Sequence, residues 1–189
     1  MVTLQDTDIV SALQENGERG FRLLMAKYKL AVYWHIRRLI VSHYDAQDAV
    51  QETFIRVFRS FDQFKRKNSL EQLQEKSSLA AWIYRIATNE ALRILQRRHS
   101  DQLSLENVLT EANRLKAENF VDYNDLEAVK LQKAIVSLPT KQQLAFNLRY
   151  YDELGYDEIA NITGSTPANV KANYHIAKEK IVKYMKTND

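Results

Sequence analysis

The chain has 189 residues, a net charge of +3 and 45% hydrophobic residues, which suits one large globular domain or two small ones. It contains no cysteine, and this excludes a disulfide scaffold, a thiol nucleophile and cysteine-ligated zinc. The first residues lack the pattern of a signal peptide, and no apolar run approaches the roughly 20 residues that span a bilayer. We therefore expect a soluble, cytoplasmic protein without membrane insertion.

Glycine and proline are scarce, with four and two residues respectively. From Phe21 to Leu154 there is no glycine, and Pro139 is the one proline in that stretch. Tight turns between strands and loops that bind phosphate both usually need glycine. The sequence therefore predicts an all-α fold without a nucleotide-binding loop of the usual kinds.

Three helices are predicted in the first part of the chain, and the first covers Phe21 to Val41. The second carries apolar residues at i, i+4, i+7 and i+11, which form one buried stripe: Val50, Phe54, Val57 and Phe61. The opposite face of this helix is mostly polar and carries Asp48, Gln51, Glu52, Ile55 and Arg59.

The third helix runs from about Ser78 to Arg98. Its apolar stripe consists of Ile83, Ala87, Ala91 and Ile94. Its other face is basic and aromatic and carries Trp82, Arg85, Asn89, Arg93 and Gln96.

Charge then divides the chain. Five basic residues stand against one acidic residue between Lys76 and His99, whereas seven acidic residues stand against two basic ones between Ser100 and Ala128. This change predicts two small helical domains joined by an acidic linker, with boundaries at 1–99, 100–124 and 125–189.

The second domain is predicted to contain shorter helices with clear boundaries. Asp125 is placed to cap a helix that runs to about Ser137. Thr140 followed by Gln143 has the spacing of a capping box, in front of a helix that runs to about Tyr151.

The end of the chain has the spacing of a helix-turn-helix in Ile159, Ala160, Gly164 and Val170. Thr166 can cap the last helix, and Pro167 occupies its first position. The exposed face of this helix offers polar residues to a major groove or to phosphates: Asn169, Lys171, Ala172, Asn173, His175 and Lys178. The same spacing also occurs in helical hairpins that bind no DNA, so that alternative stays open at this point.

Three segments resemble the extracytoplasmic-function (ECF) group of bacterial sigma factors, in the order and spacing of that group. The first two resemble its N-terminal domain: YDAQDAVQETFIRVFRSFDQF and AAWIYRIATNEALRILQRR. The third resembles its promoter-reading C-terminal domain: LPTKQQLAFNLRYYDELGYDEIANITGSTPANVKANYHIAKEKI. The resemblance implies a non-enzymatic transcription initiation factor that needs no cofactor or metal. Such a factor binds core RNA polymerase at the β′ clamp helices and the β flap, directs it to promoters and promotes melting.

The resemblance also assigns residue roles. Contact with the β′ clamp helices is implied for Asp48, Gln51, Glu52, Ile55 and Arg59. Recognition of a flipped base in the melted non-template strand of the minus-ten element is implied for Phe64 and Asn89. Contact with the separating duplex is implied for Trp82, Arg85, Arg93, Arg97 and Arg98. Recognition of the duplex minus-thirty-five element is implied for Thr166, Asn169, Lys171, Ala172, Asn173, His175 and Lys178.

Two of the departures from the group concern the DNA-binding segments. The stretch from Phe64 to Trp82 is longer than the usual base-reading loop, which leaves the role of Lys65–Ser77 open. The last helix has Ala172, Asn173 and Ile176 where members of the group commonly carry Ser-Arg and a second Arg. We therefore expect fewer phosphate contacts and a shallower salt dependence of DNA binding.

Other interpretations remain open. A helix-turn-helix regulator would bind duplex DNA without polymerase, and a sigma-like decoy would bind a partner without initiating transcription. Many ECF factors are held at the inner membrane by an anti-sigma factor, which makes such a factor a further candidate partner. The carboxylates Asp45, Asp48 and Glu52 share one helix face, but no Glu-x-x-His pair accompanies them, so a protein contact is favoured over a metal site.

Overall fold

The computed structural model describes residues 4–40, 42–67, 78–101 and 126–187, and every regular element in these ranges is an α-helix. The helices are α1 (Asp6–Glu15), α2 (Gly17–Leu39), α3 (His43–Lys67), α4 (Ser78–Asp101), α5 (Leu126–Val136), α6 (Thr140–Tyr150), α7 (Tyr156–Thr163) and α8 (Pro167–Thr187). Residues 102–124 of the predicted linker, residues 68–77 of the lengthened segment and the predicted cap Asp125 lie outside the described residues, so the predicted domain boundaries stay a prediction.

The first four helices share one hydrophobic core. Helix α2 packs against α1, α3 and α4, and α3 packs against α4. The predicted stripe of α3 is buried in this core, as are Ile83, Ala87 and Ala91 of α4, while Ile94 is partly buried. The helical periodicity therefore identified the buried faces of both helices correctly.

Helix α1 was not predicted from the sequence. It lies so close to α2 that a Cβ atom on Gly20 would stand 2.3 Å from the backbone nitrogen of Leu13. The side chain of Asn16 begins α2 by accepting a hydrogen bond from the backbone N–H of Arg19 at 3.0 Å. At the other end of α1, Asp6 accepts a hydrogen bond from the hydroxyl of Tyr28. These contacts join α1 firmly to the first bundle.

The last four helices form a second bundle in which α8 packs against α5, α6 and α7. Val170, Ala177 and Ile181 of the predicted α8 stripe are buried, and Tyr174 is partly buried. Gly164 has the predicted positive φ, at 63°, and the hydroxyl of Thr166 accepts a hydrogen bond from the backbone N–H of Asn169 at 3.2 Å. The predicted turn and cap of the helix-turn-helix are confirmed.

The predicted capping box at Thr140 is wrong. Helix α6 begins at Thr140 itself, and Pro139 occupies the cap position without a side-chain hydrogen bond. Gln143 is buried, and its amide instead donates to the backbone carbonyl of Arg38 in α2 at 3.3 Å. Gln143 therefore contacts the first helical bundle instead of forming a capping box at the start of α6.

Candidate nucleic-acid and polymerase interface

The residues predicted to contact polymerase lie along one side of α3. Asp48, Gln51, Ile55 and Arg59 are exposed, and Glu52 is half-buried. Ile55 retains 42% of its surface in solvent, which is unusual for an isoleucine on an otherwise polar helix face.

Two exposed aromatic residues also lie along this helix, and neither was predicted from the sequence to belong to this surface. Tyr44 is 76% exposed and stands one turn before Asp48, while Phe58 is 55% exposed and stands one turn after Ile55. Helical spacing puts four residues on one face: Tyr44, Asp48, Gln51 and Ile55. Tyr44 could therefore have been predicted from the sequence as part of this face. Exposed apolar residues among carboxylates are typical of a surface that binds another protein.

A second candidate surface lies on α4. Arg85 and Asn89 are exposed one turn apart, and Trp82 is half-buried one turn before Arg85. Arg93 and Arg97 continue the same side of the helix and are exposed. Arg98 belongs to α4, but its side chain lies outside the described residues. Arginines next to an indole ring on one helix face suit a strand that offers phosphates and unstacked bases.

Phe64 lies beneath this surface rather than on it. Its side chain is 4% exposed and stacks on Trp82, with the ring centroids 4.4 Å apart and the ring planes 24° apart. Because Trp82 covers Phe64, the indole is the ring of this pair that faces solvent. The two predicted aromatic residues are therefore in contact, but Trp82 is partly exposed at the surface whereas Phe64 is buried beneath it.

A buried carboxylate organises the arginines of this surface. Glu90 has a side chain 5% exposed; one of its oxygens lies 2.8 Å from Nε of Arg56 in α3, and the other lies 2.8 Å from Nη2 of Arg93. Two charged partners offset the desolvation of one carboxylate, and the pairs also fix the direction of Arg93. Sequence reasoning identified Glu90 as the single acid of this stretch but not as the group that holds Arg93.

The third candidate surface lies at the start of α8. Thr166, Asn169, Lys171 and Ala172 are exposed there, and His175 and Lys178 continue the exposed face along the helix. Asn173 is half-buried and donates a hydrogen bond from its amide to the backbone carbonyl of Asn169 at 2.9 Å. The first turns of a second helix in a helix-turn-helix are the part that enters a major groove.

Among the residues that the structure describes, no group of His, Asp and Glu side chains could hold a metal ion, and no helix is both long and apolar enough to span a membrane.

Two family models match the chain, and they divide it as the two helical bundles do. Sigma-70 region 2 matches residues 24–100, which include most of α2, all of α3 and nearly all of α4, and sigma-70 region 4 matches residues 128–181. The chain belongs to the sigma-70 family of RNA polymerase sigma factors. Members of this family direct RNA polymerase to promoters, and that is the function of this protein. The exposed faces of α3 and α4 lie in region 2, whereas the exposed face of α8 lies in region 4.

Relatives of nearly the same length place this sigma factor in the ECF group. It is 28% identical over 192 residues to the ECF RNA polymerase sigma-E factor of Escherichia coli, an alignment that covers 94% of this chain and 93% of the relative. It is also 28% identical to the RNA polymerase sigma-H factor of Pseudomonas aeruginosa, over 95% of this chain and 93% of the relative.

Solved structures share its fold. CnrH, in complex with the cytosolic domain of CnrY, superimposes with a TM-score of 0.68 at 18% identity over 97% of this chain and 99% of CnrH. The sigma factor RpoE of Bartonella quintana, in complex with the anti-sigma factor NepR, gives a TM-score of 0.63 at 19% identity over 89% of this chain and 98% of RpoE.

Proposed function

We propose that this sigma factor uses three exposed faces for three different binding contacts. The face of α3 binds the β′ clamp helices of core polymerase, the face of α4 binds the melted minus-ten strand, and the first turns of α8 read the duplex minus-thirty-five element. The second bundle further contacts the β flap. The observation that carries this proposal is the face of α4, where Trp82, Arg85, Asn89 and Arg93 are presented together on one rigid helix.

The chemistry of α4 suits a single strand better than a duplex. A base that stacks on an aromatic side chain contributes about 1–3 kcal/mol, and the adjacent arginines neutralise phosphates. The amide of Asn89 carries both a donor and an acceptor, which can pair with the Watson–Crick edge of a flipped base. Because these groups bind bases that are unavailable in a paired duplex, they stabilise the melted promoter and shift its equilibrium towards the open state.

The chemistry of α8 suits a paired duplex. Lys171 and Asn169 stand where side chains of a recognition helix reach base edges, and Lys178 stands further along, where phosphates run. The hydroxyl of Thr166 is already engaged as the helix cap, so it supports the reading residues by fixing the start of α8. Electrostatic attraction to phosphates then orients α8 on the duplex.

The protein acts as a binding factor without catalytic activity of its own, in the cytoplasm. An anti-sigma factor is a further proposed partner, because both CnrH and RpoE share the fold and were solved with bound proteins, one of them named as an anti-sigma factor. Such a factor would hold the sigma factor away from core polymerase until a signal releases it.

Run-off transcription tests the proposal. Purified protein and core polymerase are mixed with fragmented genomic DNA of the source bacterium, and the 5′ ends of the transcripts are mapped. We expect protein-dependent starts that share two upstream elements. Tight core binding without new starts would instead indicate a decoy, and the absence of both would indicate a duplex-binding regulator.

A pair of matched variants tests whether transcript yield depends on the α4 face. Asn89→Ala removes an exposed amide from the α4 face, while Asn161→Ala removes an exposed amide from α7, outside the three faces. Only the first is expected to reduce transcript yield. Equal yields from both variants would refute the assignment of α4.

A further inference from the structure

Two apolar side chains lie one turn apart on the exposed side of α8. Ile176 keeps 42% of its surface in solvent, and Ala172, four residues before it, is also exposed. Residues four apart lie on the same side of a helix, and the buried residues Val170 and Ala177 occupy the opposite side. We call Ala172 and Ile176 the apolar pair of α8. Burial of this pair against a binding partner would be favourable, because it removes apolar surface from water.

The polar residues beside the apolar pair offer few groups that read guanine. Helix α8 contains no arginine, the side chain that most often binds O6 and N7 of guanine. Lys171 is the one cationic residue among positions 167–174. Asn173 is half-buried, and its amide nitrogen donates to the backbone carbonyl of Asn169 at 2.9 Å, which holds that amide on its own helix. The centre of the exposed face is therefore apolar rather than basic.

Thymine is the base whose edge suits such a face. It carries a methyl group at C5 that projects into the major groove, and apolar side chains contact this methyl group. Asn169 is exposed three residues before Ala172, on the same side of α8. An asparagine amide can bind N6 and N7 of adenine together. The apolar pair and Asn169 thus both suit an A·T base pair.

The charge of α8 favours DNA over an apolar groove of a protein as the partner of this pair. One acidic residue of the helix, Glu179, stands against five basic ones: Lys171, Lys178, Lys180, Lys183 and Lys186. This excess of positive charge attracts phosphates. In a major groove, thymine methyl groups lie between two phosphate backbones, so an apolar pair on a lysine-rich helix is complementary to them in both respects.

We propose that the apolar pair of α8 binds the C5 methyl groups of thymines in the upstream element, and that Ile176 is a specificity-determining residue. This inference rests on the proposed function, since it concerns the bases that α8 reads. Selectivity then comes from apolar contact with A·T pairs rather than from an arginine on guanine. Each methyl group buried in this way should raise affinity about fourfold.

Replacement of thymine by uracil tests the methyl contact directly, because uracil lacks the C5 methyl group but still pairs with adenine. The probe is a promoter that run-off transcription has mapped, with uracil in place of the thymines of its upstream element. Holoenzyme is assembled from core polymerase and this protein, and its affinity is measured by competition against the labelled thymine promoter. We expect about fourfold weaker binding for each methyl group in contact. Uracil in the spacer between the two elements should have no effect.

Variants of α8 test whether Ile176 makes the contact. Ile176→Ala should bind the thymine promoter about threefold to eightfold more weakly, and its response to uracil should be about fourfold smaller. Val182→Ala is the matched control, because Val182 is a 44% exposed aliphatic residue on another side of α8; it should keep the full response to uracil.

Ile176→Arg separates the loss of methyl recognition from a general loss of the fold. The arginine can replace the apolar contact by a phosphate contact, so this variant should still bind the promoter. Its slope of log affinity against log salt should be steeper by about 1, and its response to uracil should be reduced as in Ile176→Ala.

Equal affinity of the unaltered holoenzyme for thymine and uracil promoters would overturn the inference, as would a response to uracil that Ile176→Ala leaves at full size. Weaker binding of Ile176→Ala to core polymerase without DNA would also overturn it, since the apolar pair would then contact polymerase. An upstream element without A·T pairs would overturn the inference and leave the proposed function standing. Mapped starts that share no upstream element would instead overturn the proposed role of α8, and the inference with it.

Discussion

Replacement of Ile55 by alanine tests the polymerase face of α3 quantitatively. Complete burial of an isoleucine side chain contributes about 1.5–3 kcal/mol. Since 42% of Ile55 is still exposed, its burial against a partner can contribute on the order of 0.6–1.3 kcal/mol. The variant should therefore bind core polymerase roughly threefold to eightfold more weakly.

The same substitution also affects folding. The portion of Ile55 that is already buried contributes roughly 1–2 kcal/mol to the free energy of unfolding, so the binding assay must be run well below the melting temperature of the variant. Competition of unlabelled variants against labelled protein for core polymerase measures the affinity without labels near the interface.

Leu30→Ala is the matched control, because Leu30 is an exposed aliphatic residue of α2 that lies outside the α3 face, with 68% of its surface in solvent. It should change core affinity by less than twofold. Equal losses for both variants, or no loss for Ile55→Ala, would refute the reasoning that the apolar part of the α3 face binds polymerase.

Other predictions address DNA binding and stability. Asn89→Ala should slow promoter opening, measured by permanganate reactivity of unpaired thymines, while core affinity stays within twofold; equal loss of both would contradict the role of α4. Lys171→Ala should lower the slope of log affinity against log salt by about 1 on upstream duplex, and an unchanged slope would exclude a phosphate contact. Gly164→Ala should reduce the free energy of unfolding by about 1 kcal/mol in urea titrations, because its φ of 63° disfavours a Cβ atom. The free energy of unfolding should also fall as pH rises above about 10, since burial raises the pKa of Tyr28 and Tyr84 in the folded state and only the unfolded chain then releases those protons. Tyr28→Phe should make the fall of the unfolding free energy with pH less steep by about 1.4 kcal/mol per pH unit. An unchanged pH dependence in this variant would contradict a raised pKa of Tyr28 in the folded state.

Features that depend on neighbours within a few residues were predictable from the sequence. The buried stripes and exposed faces of α3, α4 and α8 follow from a repeat of 3.6 residues, which places apolar residues on one side wherever the helix packs. The start of α8 follows likewise, because Gly164, Thr166 and Pro167 act on the backbone within one turn. These local rules, with the resemblance of three segments, led to the prediction of two helical domains and of the helices that we propose to read DNA.

Features that depend on which surfaces meet were decided only by the tertiary structure. Phe64 and Trp82 are both aromatic residues near a predicted base-binding surface, but packing alone put one beneath the other. Gln143 has the spacing of a cap, and its contact with α2 gave it a different role. Oδ2 of Asp152 lies 3.1 Å from Nδ1 of His35, yet the two residues are separated by 117 positions, and no local pattern links them. Helical periodicity determines which side of a helix is apolar, whereas the partner of a buried polar group depends on how the two bundles pack, and that is a property of the folded chain as a whole.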